Sequence, residues 1–214
     1  MQTKEYYDQK TIKMQRTQQN LIKRQFDCKI LESSQEAVKF FLSQIDKTQS
    51  VGYGGSRTLE QIKIIEHLRE NNYSLLDRNN PNLNKEEKNE IQKKILTCSV
   101  FISSVNGISE TGGLINIDLW GNRINPITYG PDKVNIFAGW NKIEDDMEKT
   151  LYRVKNIACV QNAIRFRKNT PCTKAGRCSD CSSPDRICGT TTLHEWCPEK
   201  GRINILLIKE DLGF

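Results

Sequence analysis

The segment Ser50-Val-Gly-Tyr-Gly-Gly-Ser-Arg-Thr-Leu-Glu-Gln61 contains a short apolar stretch, a glycine turn and the start of a helix, in that order. The apolar stretch predicts a strand that ends near Gly52. Residues 58–61 have the spacing of a capping box, which predicts a helix that runs to about Arg69. Because a strand that leads directly into a helix is the repeating unit of α/β proteins, this segment predicts an α/β fold.

The same alternation continues along the chain. Apolar segments bounded by turn residues predict further strands at residues 26–31, 73–77, 98–105, 113–118, 133–138 and 202–208. Amphipathic or charged segments predict helices at residues 34–45, 85–97, 144–158 and 161–166. We expect one main, largely parallel sheet with helices on both faces, built from residues 100–104, 114–118, 134–138 and 203–208.

The domain organisation follows from the absence of a clear linker. Residues 1–24 predict a polar helix that extends the N-terminus of one domain, residues 25–214. That domain includes a cysteine-rich loop at residues 170–190.

Charge and hydropathy narrow the classes of function. The net charge is +6, but the basic residues are spread along the chain, which disfavours a nucleic-acid-binding protein. No apolar run is long enough to span a membrane, and the N-terminus lacks the apolar centre of a signal peptide. We therefore expect a cytoplasmic protein whose eight cysteines are reduced thiols or metal ligands.

Four cysteines lie in the loop with the spacing C-x5-C-x2-C-x6-C: Cys172, Cys178, Cys181 and Cys188. Four thiolates suit both a tetrahedral zinc ion and a [4Fe–4S] cluster, and a loop with free thiols is a third reading. The single short C-x2-C pair favours the cluster, because structural zinc more often uses two such pairs.

Other cysteines lie in apolar surroundings. Cys28, Cys98 and Cys159 are expected to be small core residues rather than ligands. Arg177 and Arg186, by contrast, lie within the loop, where they would offset the negative charge of bound thiolates.

The glycine turn that follows the strand ending near Gly52 suits an anion. Backbone N–H groups of Gly54 and Gly55 at a helix start favour negative charge, and Ser56 and Arg57 would add a hydroxyl and a cation. The P-loop ending G-K-[ST] is absent, so the turn predicts a small carboxylate or phosphate-like ligand rather than a nucleotide of that class. A tight strand-to-helix turn without a ligand explains the same residues.

Two further turns supply candidate ligand residues. Glu110 follows an apolar strand and suits a nucleophile or base that faces a cleft, beside Thr111 and Gly112. Asn122 and Arg123 in the next turn would bind a polar ligand or each other. A hairpin turn with a solvated Glu110 is the interpretation that the local sequence favours, whereas the fold leads us to expect Glu110 and the backbone of residues 54–56 to line one cleft.

Taken together, these motifs resemble the lactate-utilisation (LUD) family, in its short single-domain type with a C-terminal cysteine motif. The resemblance covers most of the chain after about residue 20 and is carried by residues 51–59, 106–118, 121–123, 129–134, 139–142, 170–172, 178–188 and 210–214. It implies a three-layer α/β fold like that of CoA transferases and ribose-5-phosphate isomerase. It also implies a redox accessory protein or subunit in the oxidation of L-lactate to pyruvate, with iron–sulfur partner subunits and an iron–sulfur site on the four loop cysteines.

Two other functions remain open. In the related CoA transferases a glutamate in a similar Ser-Glu-Asn-Gly setting attacks the acyl group, so Glu110 would be catalytic in an anion- or acyl-binding enzyme with zinc or free thiols on the loop. Thr111 stands where those enzymes have Asn. A zinc-bearing interaction module is the third, and the loop lacks the aromatic residues that nucleic-acid binding would favour. Each alternative is compatible with a homo-oligomer.

Overall fold

The computed structural model describes residues 3–214. The helices are α1 (Lys4–Lys23), α2 (Ser34–Leu42), α3 (Arg57–Gln61), α4 (Ile64–Glu70), α5 (Lys85–Ile95), α6 (Ile124–Thr128), α7 (Met147–Arg153), α8 (Cys159–Arg165) and α9 (Pro171–Ala175). The strands are β1 (Asp27–Leu31), β2 (Val51–Tyr53), β3 (Val100–Ser103), β4 (Gly107–Ser109), β5 (Gly113–Asp118), β6 (Lys133–Gly139), β7 (Ile143–Glu144), β8 (Thr190–His194) and β9 (Ile203–Ile208). None of these helices combines the length and the apolar character that a membrane crossing requires.

Five strands form a parallel sheet in the order β1-β9-β6-β3-β2. Its strands carry almost continuous apolar runs, as expected for strands that are covered on both faces. Helices α2, α3 and α4 pack on one face around Phe41 and Phe137. The opposite face packs against α1, α5 and α6 and against a second sheet. The architecture therefore confirms the predicted three-layer α/β fold with helices on both faces.

The second sheet corrects one prediction. Residues 114–118 belong to β5, which lies in a mixed sheet of order β7-β4-β5-β8 rather than in the main sheet. β5 pairs antiparallel with β4 and with β8, so its partners come from a hairpin and from the segment after the cysteines. The outer face of this sheet packs on α7 and α8, which are joined by a π-helical turn at residues 154–158.

Two local predictions were also wrong. Residues 73–77 form only an isolated bridge between Leu75 and Val51 instead of a strand. The helix predicted from residue 58 is broken at Lys63, whose φ of 54° interrupts it between α3 and α4. Its N-cap is Ser56, whose hydroxyl accepts a hydrogen bond from the Leu59 N–H.

The helix predicted over residues 1–24 is formed by α1, and residues 1 and 2 lie outside the described part. Met14 and Leu21 on this helix are fully buried in the same core as the sheets. The N-terminal extension is therefore packed against the domain.

Candidate functional site

A cleft of about 340 Å³ lies where strands of the main sheet end. Gly55 follows β2, Ser104 follows β3, Lys142 follows β6 and Gly213 follows β9, and all four line the cleft. Because these strands are parallel, their carboxyl ends meet at one edge, which is where α/β sheets bind ligands. The second sheet contributes Asp118 from the end of β5.

Basic side chains dominate the lining. Six of them line the cleft: Arg57, Arg78, Arg123, Lys142, Arg165 and Lys168. Among the described lining residues Asp118 has the one carboxylate side chain. The cleft therefore carries excess positive charge and suits a small anion.

The Asp118–Arg123 pair shapes one side of the cleft. The Asp118 carboxylate accepts hydrogen bonds from the Arg123 Nε at 2.7 Å and from the backbone N–H groups of Arg123 and Ile124. The Arg123 guanidinium also donates to the Asn106 side chain and the Ile117 carbonyl. The charges of Asp118 and Arg123 neutralise each other. Arg123 therefore gives the cleft its shape and hydrogen-bond donors rather than a net positive charge.

Gly54 allows Arg123 to take this position. A Cβ atom on Gly54 would lie 2.6 Å from the Arg123 Cγ and 2.9 Å from the Ser103 Oγ. The glycine at this point of the turn is thus required by the close approach of the arginine.

Two other cations lack such a carboxylate partner. Arg78 donates to the Gln92 side chain, and burial lowers the pKa of its guanidinium. Lys142 is 4% exposed and donates to hydroxyl and carbonyl oxygens. Arg165 and Arg57, in contrast, share the exposed carboxylate of Glu60.

The structure brings together five of the predicted ligand residues. Those that line the cleft are Gly55, Ser56, Arg57, Asn122 and Arg123. Gly54 lies beneath Arg123 and lines a smaller neighbouring pocket. The Ser56 hydroxyl caps α3, so its oxygen is already used as an acceptor.

Glu110, Thr111 and Gly112 lie elsewhere, which corrects the expectation that Glu110 shares the cleft. They form the turn between β4 and β5, and β4 runs away from the cleft residue Asn106. The three residues of β4 separate Asn106 from Glu110, and four residue steps of extended chain span roughly 13 Å. The Glu110 carboxylate instead accepts a hydrogen bond from the Arg16 Nε at 2.5 Å.

The same turn is fixed to the N-terminal helix. Asn20 donates to the Glu110 carbonyl, and a Cβ on Gly112 would lie 2.7 Å from the Asn20 carbonyl oxygen. The contacts of Glu110 in this structure are therefore those of a residue that holds α1 against the hairpin.

The four loop cysteines do converge. Cys172, Cys178, Cys181 and Cys188 line one small cavity of about 20 Å³ together with Cys159 from α8. All five are free thiols. Cys159 was expected to be a core residue, and the structure places it beside the loop because it begins the helix that follows the π-helical turn.

The electrostatics of this cavity are mixed. Burial raises the pKa of Cys159 to about 12 and also raises the pKa of Cys188. Arg186 donates to the backbone carbonyls of Cys181 and Cys188, which fixes the loop. Across residues 3–214, no group of three or more His, Cys, Asp or Glu side chains is already arranged to hold a metal ion.

The cleft and the cysteine cavity are neighbours. Ile187 lines both of them. The Gly189 N–H donates to the Asp118 carbonyl at 2.9 Å, which fixes the end of the cysteine segment to the end of β5. Ile187 is thus a residue that the walls of both cavities share.

Sequence reasoning missed Arg78, Lys142, Arg165 and Cys159. Lys142 lies in a stretch that carries the family resemblance, so its motif was a usable signal. Arg78 and Arg165 had no local signal, because only the tertiary fold brings them to the strand ends.

Comparisons with known proteins agree with this fold. A model of the LUD domain matches residues 14–208. A solved structure described as a DUF162 family protein from Deinococcus radiodurans is similar with a TM-score of 0.52 and 10% sequence identity, over 93% of this chain and 98% of that chain. No curated protein sequence matches. Since the LUD model covers most of the chain, the protein belongs to the LUD domain family, the lactate-utilisation family that its motifs resemble.

Proposed function

We propose that this protein acts in lactate utilisation as a redox accessory protein or subunit. It binds a small carboxylate in the cationic cleft and carries an iron–sulfur site on the cysteine segment. The observation that carries the proposal is the common wall formed by Ile187 between the cleft and the cysteine cavity. A cluster held by the thiolates would carry one electron at a time about one side chain away from the cleft, so the two electrons released when lactate becomes pyruvate would pass on in succession to an iron–sulfur partner subunit.

The cleft suits the substrate and product that the family suggests. L-Lactate and pyruvate each carry one carboxylate next to a hydroxyl or a carbonyl. Arg78 offers positive charge without an ion pair among the described residues, and Lys142 and Asn122 offer N–H donors for the carboxylate and its neighbouring oxygen. A volume of about 340 Å³ lies near the lower end of ligand pockets, so a small acid is favoured over a nucleotide.

The cysteine residues fit a thiophilic metal in donor type and in location. Five cysteines line one cavity, which is one more than the four thiolates that a [4Fe–4S] cluster or a zinc ion uses. A cavity of about 20 Å³ is close to the space that one water needs, so loop sulfurs must move to admit a cluster. Because a single ion needs less space than a cluster, a structural zinc ion is the second candidate for this cavity.

Metal analysis tests the redox part of the proposal. Protein purified without oxygen is assayed together for iron, sulfide and zinc, in the wild type, Cys181→Ser and Cys98→Ser. Cys98 is the matched control because it is buried in the core next to Gly52. We expect iron and sulfide in the wild type, a loss in Cys181→Ser and retention in Cys98→Ser.

Two outcomes would contradict the iron–sulfur assignment. One zinc per chain without iron would establish the zinc alternative, and a protein with neither metal would leave the cysteines as free thiols. Electrons from the cleft would then need another acceptor.

Titration calorimetry with L-lactate and pyruvate tests the substrate part. Both acids should bind the wild type and bind Arg78→Met more weakly, because the variant removes a cation from the cleft. Equal affinity of wild type and variant would show that the acids bind elsewhere.

A further inference from the structure

Lys142 is the most deeply buried basic side chain of the cleft. It follows β6 in a short 3-10 turn, and its side chain is held between the ends of β3 and the first turn of α3. Its Nζ lies 3.2 Å from the Thr58 Oγ1, 3.0 Å from the Ser104 Oγ and 3.0 Å from the Val105 carbonyl oxygen.

These three contacts satisfy the amine in either protonation state. A charged ammonium group donates three hydrogen bonds, and all three acceptors are in place. A neutral amine donates two, and the hydroxyl of Thr58 or Ser104 can rotate to donate to its lone pair. A change of protonation therefore needs no rearrangement of the side chain.

The surrounding charges decide which state is present. Burial lowers the pKa of Lys142 well below its usual 10.5, and the cations Arg153 on α7 and Arg123 before α6 lower it further. Asp118 at the end of β5 is bound by Arg123, and Glu144 in β7 lies 3.7 Å from Arg153, so both nearby carboxylates are paired with arginines. Lys142 forms no ion pair among the described residues. A charged ammonium group at this position would thus need a negative charge nearby to stabilise it.

We infer that a carboxylate anion entering the cleft supplies this charge, so that Lys142 takes up one proton when a 2-hydroxy or 2-oxo acid binds. The inference rests on the proposed function for the class of ligand. Lys142 would then act as a positioning residue that becomes a cation only in the complex, and it would favour monoanionic acids over neutral analogues of the same shape.

The coupling has a defined pH dependence. When the free protein holds a neutral Lys142 and the complex holds a charged one, the Kd of the acid rises about tenfold for each unit of pH increase. Replacement by methionine, which has similar length and no amine, removes this dependence.

Calorimetric titration of pyruvate in two buffers with different heats of ionisation measures the protons taken up. We expect close to one proton per bound anion for the wild type and none for Lys142→Met. Lys168→Met is the control, because Lys168 also lines the cleft. It should weaken binding and keep the proton uptake, whereas wild-type binding without proton uptake would overturn the inference.

A second measurement does not depend on pyruvate binding. A depressed pKa in the folded state means that the unfolded chain binds more protons, so stability rises with pH below 10.5. The unfolding constant of the wild type should fall about tenfold more per pH unit than that of Lys142→Met. If pyruvate fails to bind but this difference is found, the proposed substrate class is wrong and Lys142 is neutral as inferred. Identical pH slopes would overturn the inference itself.

Discussion

Replacement of Gly54 by alanine tests how the cleft is built. The new Cβ would lie 2.6 Å from the Arg123 Cγ, whereas carbon atoms in contact are normally about 3.5–4.0 Å apart. Arg123 would have to move by about 1 Å to restore an ordinary contact. It cannot move freely, because Asp118, Asn106 and the Ile117 carbonyl hold its guanidinium.

The size of the effect follows from two opposing terms. Overpacking of a tight site costs about 1–3 kcal/mol. Loss of glycine flexibility from the unfolded chain stabilises by about 0.4–1 kcal/mol. Gly54 does not have a positive φ, so no backbone strain is added. We expect a net loss of about 1–2 kcal/mol in the free energy of unfolding, together with weaker binding of pyruvate, because Arg123 shifts at the cleft wall.

Gly55→Ala is the matched control. A Cβ on Gly55 would meet only the Arg78 Nη2 at 3.3 Å, which is the end of a flexible side chain. Urea unfolding of both variants should show a clear loss for Gly54→Ala and a change of under about 1 kcal/mol for Gly55→Ala. Equal stability of Gly54→Ala and the wild type would refute the argument that Arg123 is fixed over this glycine.

Three further variants test the site and its surroundings. Arg78→Met should lower the affinity for pyruvate roughly 10- to 100-fold in calorimetry, since a hydrogen bond to a charged group contributes about 1.5–3 kcal/mol. Glu110→Gln should leave that affinity unchanged and cost less than about 1 kcal/mol in urea unfolding, because its partner Arg16 is more than half exposed. Burial and Arg202 lower the pKa of His194 from its usual 6.5, so the folded state binds fewer protons and stability should fall as the pH drops below 6.5. His194→Gln should reduce that fall, with His67→Gln as the control.

Local signals in the sequence were sufficient to predict the layered fold and the cleft residues of the glycine turn. Residues 51–57 predicted a strand end followed by a helix. Because the strands are parallel, Gly55, Ser56 and Arg57 then lie at the carboxyl edge of the sheet, where α/β proteins bind ligands. The cysteine spacing likewise indicated that the four thiols lie close together, and all four cysteines line one cavity.

The errors arose where a strand's partners decide its role. Residues 113–118 are as apolar as a central parallel strand, and only pairing with β4 and β8 places them in the second sheet. The same antiparallel hairpin turns Glu110 away from the strand ends and toward Arg16. β5 is buried at all six positions, as a central parallel strand would be, so its apolar pattern could not reveal its antiparallel pairing or the position of Glu110.

The most informative contacts of the site came from residues distant in sequence. Lys142 is satisfied by Thr58 and by the end of β3, and Cys159 reaches the loop cysteines from the start of α8. The sequence alone does not distinguish a buried lysine from an exposed one. Its role appears only when the fold removes water and leaves it without a carboxylate.

The position of Ile187 connects the two halves of the proposed function. It lies between Arg186, which donates hydrogen bonds to two cysteine carbonyls, and Cys188, which lines the cysteine cavity. Ile187 also forms part of the cleft wall. Gly189 then pairs with Asp118, the residue that orients Arg123. Because a Cβ on Gly189 would lie 2.7 Å from the Leu119 carbonyl oxygen, this junction has little room to adjust. If the thiols rearrange around a metal, either the loop residues before Ile187 move or the shape of the cleft changes.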